Sequence, residues 1–206
     1  MICVSIIEKN IAQCVEILGK CKMAELRFDR IHPKISEIKT LLSVKIPIIA
    51  TCRSGLYSDE QRLEILSEAI KNGATCVDIE IDSAEEYRQK LIATAKCNNC
   101  KIIISYHNFS ETPDENVLKN IIFQAKKYHP DLIKIATTAQ TLADAIRMVD
   151  LQKKNRKIIA FAMGERGTFS RLMSYKCGAP FIYAAYNHDS KSADGQLTVD
   201  EIKTFF

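Results

Sequence analysis

The sequence predicts an α/β chain of the (β/α)8 TIM-type barrel class, small and short-looped, spanning residues 1–206 as one domain. Three observations lead there. Short apolar strands alternate with amphipathic helical stretches, and the alternation runs eight times along the chain. No GxGxxG follows the first strand or occurs elsewhere, which argues against a doubly wound open sheet. The composition, 47% hydrophobic and 26% charged with only 7 Gly and 5 Pro, suits one ordered core, and no linker or low-complexity segment divides it. At about 25 residues per strand–helix unit the barrel falls below the usual size range.

The strands are expected near 2–7, 23–29, 46–52, 75–81, 101–106, 132–136, 157–162 and 181–185. Each is a short apolar run, and a helix-like stretch follows each. Ser58-Asp59-Glu60-Gln61, Ser83-Ala84-Glu85-Glu86 and Thr198-Val199-Asp200-Glu201 read as capping boxes, in which a hydroxyl and a carboxylate or amide satisfy free backbone N–H groups. Thr112-Pro113-Asp114-Glu115 reads as an N-cap, a proline at the first helical position and an acidic first turn. Lys71-Asn72-Gly73 reads as a helix stop.

Composition also excludes functions. There is no long uninterrupted apolar run to span a membrane, and Met1 leads into Ile2-Cys3-Val4-Ser5-Ile6-Ile7 without the basic start of a signal peptide, so a cytoplasmic location is expected. The net charge of +4 is spread along the chain, which fits a small anionic ligand better than nucleic acid. The 8 cysteines read as reduced, mostly buried thiols. Cys97-Asn98-Asn99-Cys100 is a lone CxxC without the second pair or histidines that complete a zinc site.

In a parallel barrel the site lies at the C-terminal ends of the strands, so polar residues there carry the functional reading. Strand 2 places Glu25, Arg27 and Asp29 on one face. Strand 3 runs into Arg53, and strand 4 places Asp78, Glu80 and Asp82 opposite Val77, Ile79 and Ile81. Strand 5 ends in Ser105-Tyr106-His107, strand 6 holds Lys134, and strand 7 leads into Met163-Gly164-Glu165-Arg166-Gly167 and Ser170-Arg171. One such strand reads equally well as a structural ion-pair layer. Charged ends on most of the strands favour a site, with Arg27, Arg53 and Arg171 as surplus cations for an anionic substrate.

Lys134 lies inside the apolar run Leu132-Ile133-Lys134-Ile135-Ala136. Taken alone, a lysine at a strand end that reaches water is the simpler reading. A lysine's ordinary pKa of about 10.4 falls on desolvation, and a neutral amine condenses with a ketone or aldehyde. A histidine, the residue type that titrates near neutrality, stands at the end of the adjacent strand as His107. An amine that forms an imine beside a base that removes the alpha proton suits aldol cleavage or elimination of water beta to a carbonyl.

Together these residues resemble the type I 3-dehydroquinate dehydratases. The matching pieces are Glu25-Leu26-Arg27-Phe28-Asp29, Arg53, Val77-Asp78-Ile79-Glu80, Ser105-Tyr106-His107-Asn108-Phe109, Lys134-Ile135-Ala136-Thr137-Thr138, Met163-Gly164-Glu165-Arg166-Gly167 with Ser170-Arg171, and Ser192-Ala193-Asp194-Gly195-Gln196. They run in family order over nearly the whole chain. The resemblance implies a catalytic domain that dehydrates 3-dehydroquinate by syn elimination in aromatic amino acid biosynthesis. It implies that Lys134 forms the Schiff base and that His107 moves the protons. By the same resemblance Arg171, Ser192 and Gln196 hold the carboxylate, with the last two on a loop after strand 8 that closes over the site. Glu25, Arg27 and Arg53 would bind ring hydroxyls, Met163 and Tyr183 would line the pocket, and Ser5 would be a strand-1 contact. No metal or organic cofactor is implied, because the lysine supplies the electron sink.

The chain departs from the family pattern twice. A glutamate followed by Gly-Gly usually comes a few residues after the strand-3 arginine and orients the histidine. Here the stretch is Arg53-Ser54-Gly55-Leu56-Tyr57-Ser58-Asp59, which leaves Asp59, Glu60 or Glu80 for that role, or none. Asp194 stands where a proline is common. A class I aldolase is the same-chemistry alternative, but its phosphate-binding glycines after strands 7 and 8 have no match in Tyr186-Asn187-His188-Asp189-Ser190. A non-catalytic binding or regulatory barrel is the other, and it predicts loss of the lysine–histidine pair. The expected partner is a small anionic substrate, with neither nucleic acid nor membrane. A homodimer and a fusion to a shikimate dehydrogenase both stay open.

Overall fold

The computed structural model describes residues 1–206 and holds eight strands in the parallel order β7-β6-β5-β4-β3-β2-β1-β8, the (β/α)8 TIM-type arrangement expected from the sequence. The strands are β1 (Ile2–Ile6), β2 (Ala24–Arg27), β3 (Ile48–Thr51), β4 (Cys76–Glu80), β5 (Lys101–Asn108), β6 (Leu132–Thr138), β7 (Ile158–Met163) and β8 (Ile182–Ala185). The helices are α1 (Ile11–Leu18), α2 (Phe28–Ile31), α3 (Ile35–Leu41), α4 (Asp59–Lys71), α5 (Glu85–Cys97), α6 (Glu115–Lys126), α7 (Leu142–Lys153), α8 (Thr168–Lys176) and α9 (Val199–Lys203). None is long and apolar enough to cross a membrane. All eight cysteines are free thiols. The chain divides into two units, Cys3–Ile103 and Met1–Ile2 with Ile104–Phe206.

In the first unit the parallel register sets Ser5 beside Glu25, Arg27 beside Thr51, and Thr51 beside Asp78. The alternate positions Leu26, Val77 and Ile79 are fully apolar and buried. Strand 2 stops two residues earlier than expected. Phe28 to Ile31 form the single turn α2, closed by His32, whose φ of 56° is left-handed and whose N–H donates to the Phe28 carbonyl. Asp29 therefore sits on a helical turn and not on the strand. Helix α4 starts as expected, with Ser58 accepting from the Gln61 N–H while Gln61 accepts from the Ser58 N–H. The box expected at Ser83 does not form. Ala84 is the N-cap of α5, and the Arg88 guanidinium takes the carbonyls of Ile81 and Ser83, fixing that turn from outside.

In the second unit β6 and β7 pair in register from Ile133↔Ile158 to Thr138↔Met163, so Lys134 lies beside Ile159 and Ala136 beside Phe161. Both β5 and β6 run two residues further than expected, through His107-Asn108 and Thr137-Thr138. The N-cap of α6 is Asp114 and not Thr112, since the Thr112 hydroxyl is engaged at Thr137 Oγ1 (2.8 Å) and the Thr138 carbonyl (2.9 Å). Pro113 accordingly precedes the helix. These bonds, with Thr138 Oγ1 donating to the Asn108 carbonyl at 3.2 Å, tie the ends of β5 and β6 together just past His107 and Lys134.

Candidate active site

The second unit holds seven of the expected site residues. Lys134 is buried, 6% exposed, midway along β6. Its Nζ lies 4.3 Å from the centre of the Tyr183 ring on β8. His107 is half-buried near the end of the neighbouring strand β5, and its ring stacks on Phe109 with centroids 6.0 Å apart. Met163 closes β7 and is buried.

The sequence Met163-Gly164-Glu165-Arg166-Gly167 with Ser170 aims Arg171. Gly167 packs so tightly on β7 that a Cβ there would lie 2.6 Å from the Ala162 carbonyl carbon, so only glycine lets α8 start this close to the strand. Ser170 Oγ then accepts from the Ala162 N–H at 2.8 Å and donates to the Gly167 carbonyl at 2.6 Å. Pinned this way, the next residue, Arg171, is only 4% exposed.

Arg171 has no carboxylate partner. Its Nη2 donates to the Asp194 carbonyl at 3.3 Å, its guanidinium carbon sits 4.4 Å from the Phe161 ring centre, and its Nε is buried without a hydrogen-bond partner. Desolvation pulls its pKa down to about 10, far enough to show the strain of burial and still well above neutrality. A buried guanidinium short of acceptors has donors to spare for a carboxylate. Replacing Arg171 with Ala should raise KM for an anionic substrate by about 2–5 kcal/mol, the cost of leaving a buried charge unpaired. That is roughly 30-fold to several thousand-fold at about 1.4 kcal/mol per tenfold. Steady-state kinetics checks this, and an unchanged KM would place the carboxylate elsewhere.

Ser192 and Gln196 lie on the segment between β8 and α9, where Gln196 Oε1 accepts from both the N–H (2.7 Å) and the hydroxyl (3.0 Å) of Ser192. The segment is latched to the end of β7 by Gly164 N–H donating to the Asp194 carbonyl at 3.2 Å. Gly195, at φ 69°, makes the closest approach, for a Cβ there would meet the Gly164 carbonyl oxygen at 2.4 Å and the Thr168 hydroxyl at 2.8 Å. Gly195→Ala should therefore unseat the segment and cost about 1–3 kcal/mol in strain. Thermal denaturation reads the loss, and limited proteolysis near 187–197 should become faster. Asp194, in the position where the family often has proline, contributes its backbone carbonyl to both the latch and Arg171.

The first unit holds the remaining expected residues, and here the surplus of cations does not hold. Arg27 is bound by Asp29 (Nε to Oδ1 3.0 Å, Nη2 to Oδ2 2.7 Å), and Arg53 is bound by Asp78 at 2.8 and 2.6 Å. Burial pulls both guanidinium pKa values down, but the paired carboxylates more than reverse this and hold them above the ordinary value. Period 2 puts Arg27 on one face with Glu25 and Asp29, and Arg53 follows strand 3 in the sequence, neither showing which acid it meets. Of the three arginines only Arg171 is unbalanced. Glu25 is buried and accepts from Ser5 Oγ at 2.8 Å and Thr51 Oγ1 at 3.0 Å, as the register of β1, β2 and β3 dictates. Of the acids left to replace the missing glutamate, Asp59 and Glu80 both bind Arg62, at 3.0 and 2.8 Å, while Glu60 is fully exposed and takes a hydrogen bond from Ser58.

Two residues of consequence were not singled out from the sequence. Arg62, 2% exposed, joins Asp59, Glu80 and the Cys52 carbonyl and lies over Tyr87, yet in the sequence it looks like any cation on an amphipathic helix. Phe161 looks like core in the run Ile-Ile-Ala-Phe-Ala-Met, although period 2 puts it on the same face as Met163.

A family model described as Type I 3-dehydroquinase matches residues 2–206. The chain is 34% identical over 220 residues to a 3-dehydroquinate dehydratase of Desulfotalea psychrophila, covering 100% of this chain and 96% of that protein. It is 35% identical over 188 residues to one of Dehalococcoides mccartyi, covering 86% and 82%. Among solved structures it is similar to a type I 3-dehydroquinate dehydratase of Clostridium difficile with covalently modified comenic acid. The TM-score is 0.86 at 26% identity, covering 98% of this chain and 89% of that one.

Proposed function

The chain belongs to the type I 3-dehydroquinase family, a hydro-lyase family that dehydrates 3-dehydroquinate in the shikimate pathway, and from that premise we propose how its own residues carry the reaction. Lys134 attacks the substrate ketone, water leaves, and an imine forms. His107 removes the proton alpha to the imine carbon, giving an enamine whose electrons expel the hydroxyl beta to that carbon. The same histidine, now protonated, supplies the proton with which the hydroxyl departs as water. Water then hydrolyses the conjugated imine, releasing 3-dehydroshikimate and the free amine.

Arg171 holds the substrate carboxylate, with Ser192 and Gln196 beside it on the latched segment. Met163 and Tyr183 line the pocket. In the first unit Glu25, Arg27 and Arg53 take ring hydroxyls, with Ser5 supporting Glu25. The pairing of Arg27 and Arg53 with acids suits that role, since a neutralised guanidinium still presents N–H donors to a hydroxyl while attracting anions less. The C. difficile structure, with its covalently modified comenic acid, is in keeping with covalent chemistry.

One observation carries the proposal. The unit that buries the nucleophile Lys134 also buries Arg171 without any carboxylate, so it offers an amine for a ketone and a cation for an anion. Turnover of 3-dehydroquinate, followed by the ultraviolet absorbance of the conjugated product, tests it. Absence of turnover by folded protein would sink the assignment of these residues. A cytoplasmic location and a homodimeric assembly belong to the same proposal, the latter checked by analytical ultracentrifugation.

A further inference from the structure

We propose that Phe161 is a positioning residue which, with Tyr183, forms an aromatic seat for the Arg171 guanidinium and the Lys134 amine, fixing the separation at which carboxylate and ketone of one substrate are received. This rests on the reading above, in which Arg171 takes the carboxylate and Lys134 the ketone.

The geometry is a chain of four groups. The Arg171 guanidinium carbon lies 4.4 Å from the Phe161 ring centre, and Lys134 Nζ lies 4.3 Å from that of Tyr183. The two rings are themselves neighbours, 6.4 Å apart and tilted by 53°. Phe181 backs Tyr183 edge-on, with centroids 5.2 Å apart at 76°. All four aromatic and cationic side chains are buried. Ala136, the residue beside Phe161 across β6 and β7, is small enough to leave the larger ring its space on that side.

An aromatic face attracts a cation within about 6 Å of its centre, and does so more strongly when water is excluded. Unlike a carboxylate it adds no negative charge. Arg27 and Arg53 show the contrast, each being clamped by an acid at hydrogen-bond distance. Had Phe161 been an aspartate or glutamate, Arg171 would be equally well anchored but already neutralised, and an incoming carboxylate would have to displace it. The ring holds the guanidinium in place and leaves its charge available. On the other side, the Tyr183 face meets the positive charge of the protonated imine proposed on Lys134. Because the rings are packed as neighbours, the spacing between guanidinium and amine is set by this packing and not by the substrate.

The test combines kinetics with trapping on folded variants. Phe161→Leu should raise KM for 3-dehydroquinate about 3- to 30-fold while kcat stays within about 3-fold, the span of a cation–π contact. Phe161→Tyr should restore KM to within about 2-fold, because it keeps the ring. Phe161→Met, close in volume and without a ring, is the second variant should the leucine fail to fold. Tyr183→Leu should slow formation of the borohydride-trapped Lys134 adduct, whereas Tyr183→Phe should not. A native KM in both Phe161→Leu and Phe161→Met overturns the proposal, as does a Phe161→Tyr no better than leucine. A native chain that forms no Lys134 adduct overturns this proposal together with the reading on which it rests. A native adduct with indifferent ring variants overturns this proposal alone.

Discussion

Lys134→Ala should abolish dehydration of 3-dehydroquinate, a loss larger than the roughly 10²–10⁴ typical of removing a general acid–base alone. The reason is that the whole covalent route disappears. Without the amine there is no imine, and without the imine the alpha proton has no electron sink to leave toward. In the native protein, borohydride added during turnover should reduce the imine and leave one stable adduct, found by mass spectrometry on the peptide containing Lys134. The alanine variant should carry none. An equal adduct in the variant, or unchanged turnover, would end the assignment.

His107→Ala should cut turnover by about 10²–10⁴ and leave the imine able to form, because the nucleophile is untouched. The two effects separate bond formation from proton transfer. With elimination stalled, the covalent species should accumulate, and mass spectrometry of the variant incubated with 3-dehydroquinate should show an adduct without any reductant. The position fits the task, for His107 stands near the end of the strand beside that of Lys134, on a loop base tied to β6 by Thr112 and Thr138. Turnover at the native rate would make His107 a structural residue and send the search for a base to Glu25, Glu80 and Tyr106.

All eight strands were legible in the sequence because each is apolar on one or both faces, which leaves an alternating or a continuous apolar signature. The errors fall where side chains, and not backbone patterns, decide. Strands β5 and β6 end in Tyr106-His107-Asn108 and Thr137-Thr138, polar residues that carry no apolar signal. Thr112 reads as a helix cap until Thr137 and Thr138 claim its hydroxyl from across the sheet. Ser83 reads as one until Arg88 takes hold of its turn. The site followed the same rule. Residue types at strand ends were readable, whereas the pairing of Arg27 with Asp29 and Arg53 with Asp78 depends on which rotamers meet in space. So the sequence showed three arginines as equals, and only packing distinguishes the one whose charge is unmet.

That unmet charge sets fold and function against each other. A buried guanidinium with one backbone acceptor and an orphaned Nε is a liability to the folded state. Arg171→Leu or Arg171→Met should therefore make the folded chain sturdier, since an apolar side chain of similar length removes a buried charge with a single backbone acceptor. On the role proposed for Arg171, a bound substrate carboxylate adds acceptors to this guanidinium, and substrate should stabilise the folded chain. By mass action the protein in a cell well supplied with substrate is a more stable object than the same chain in buffer.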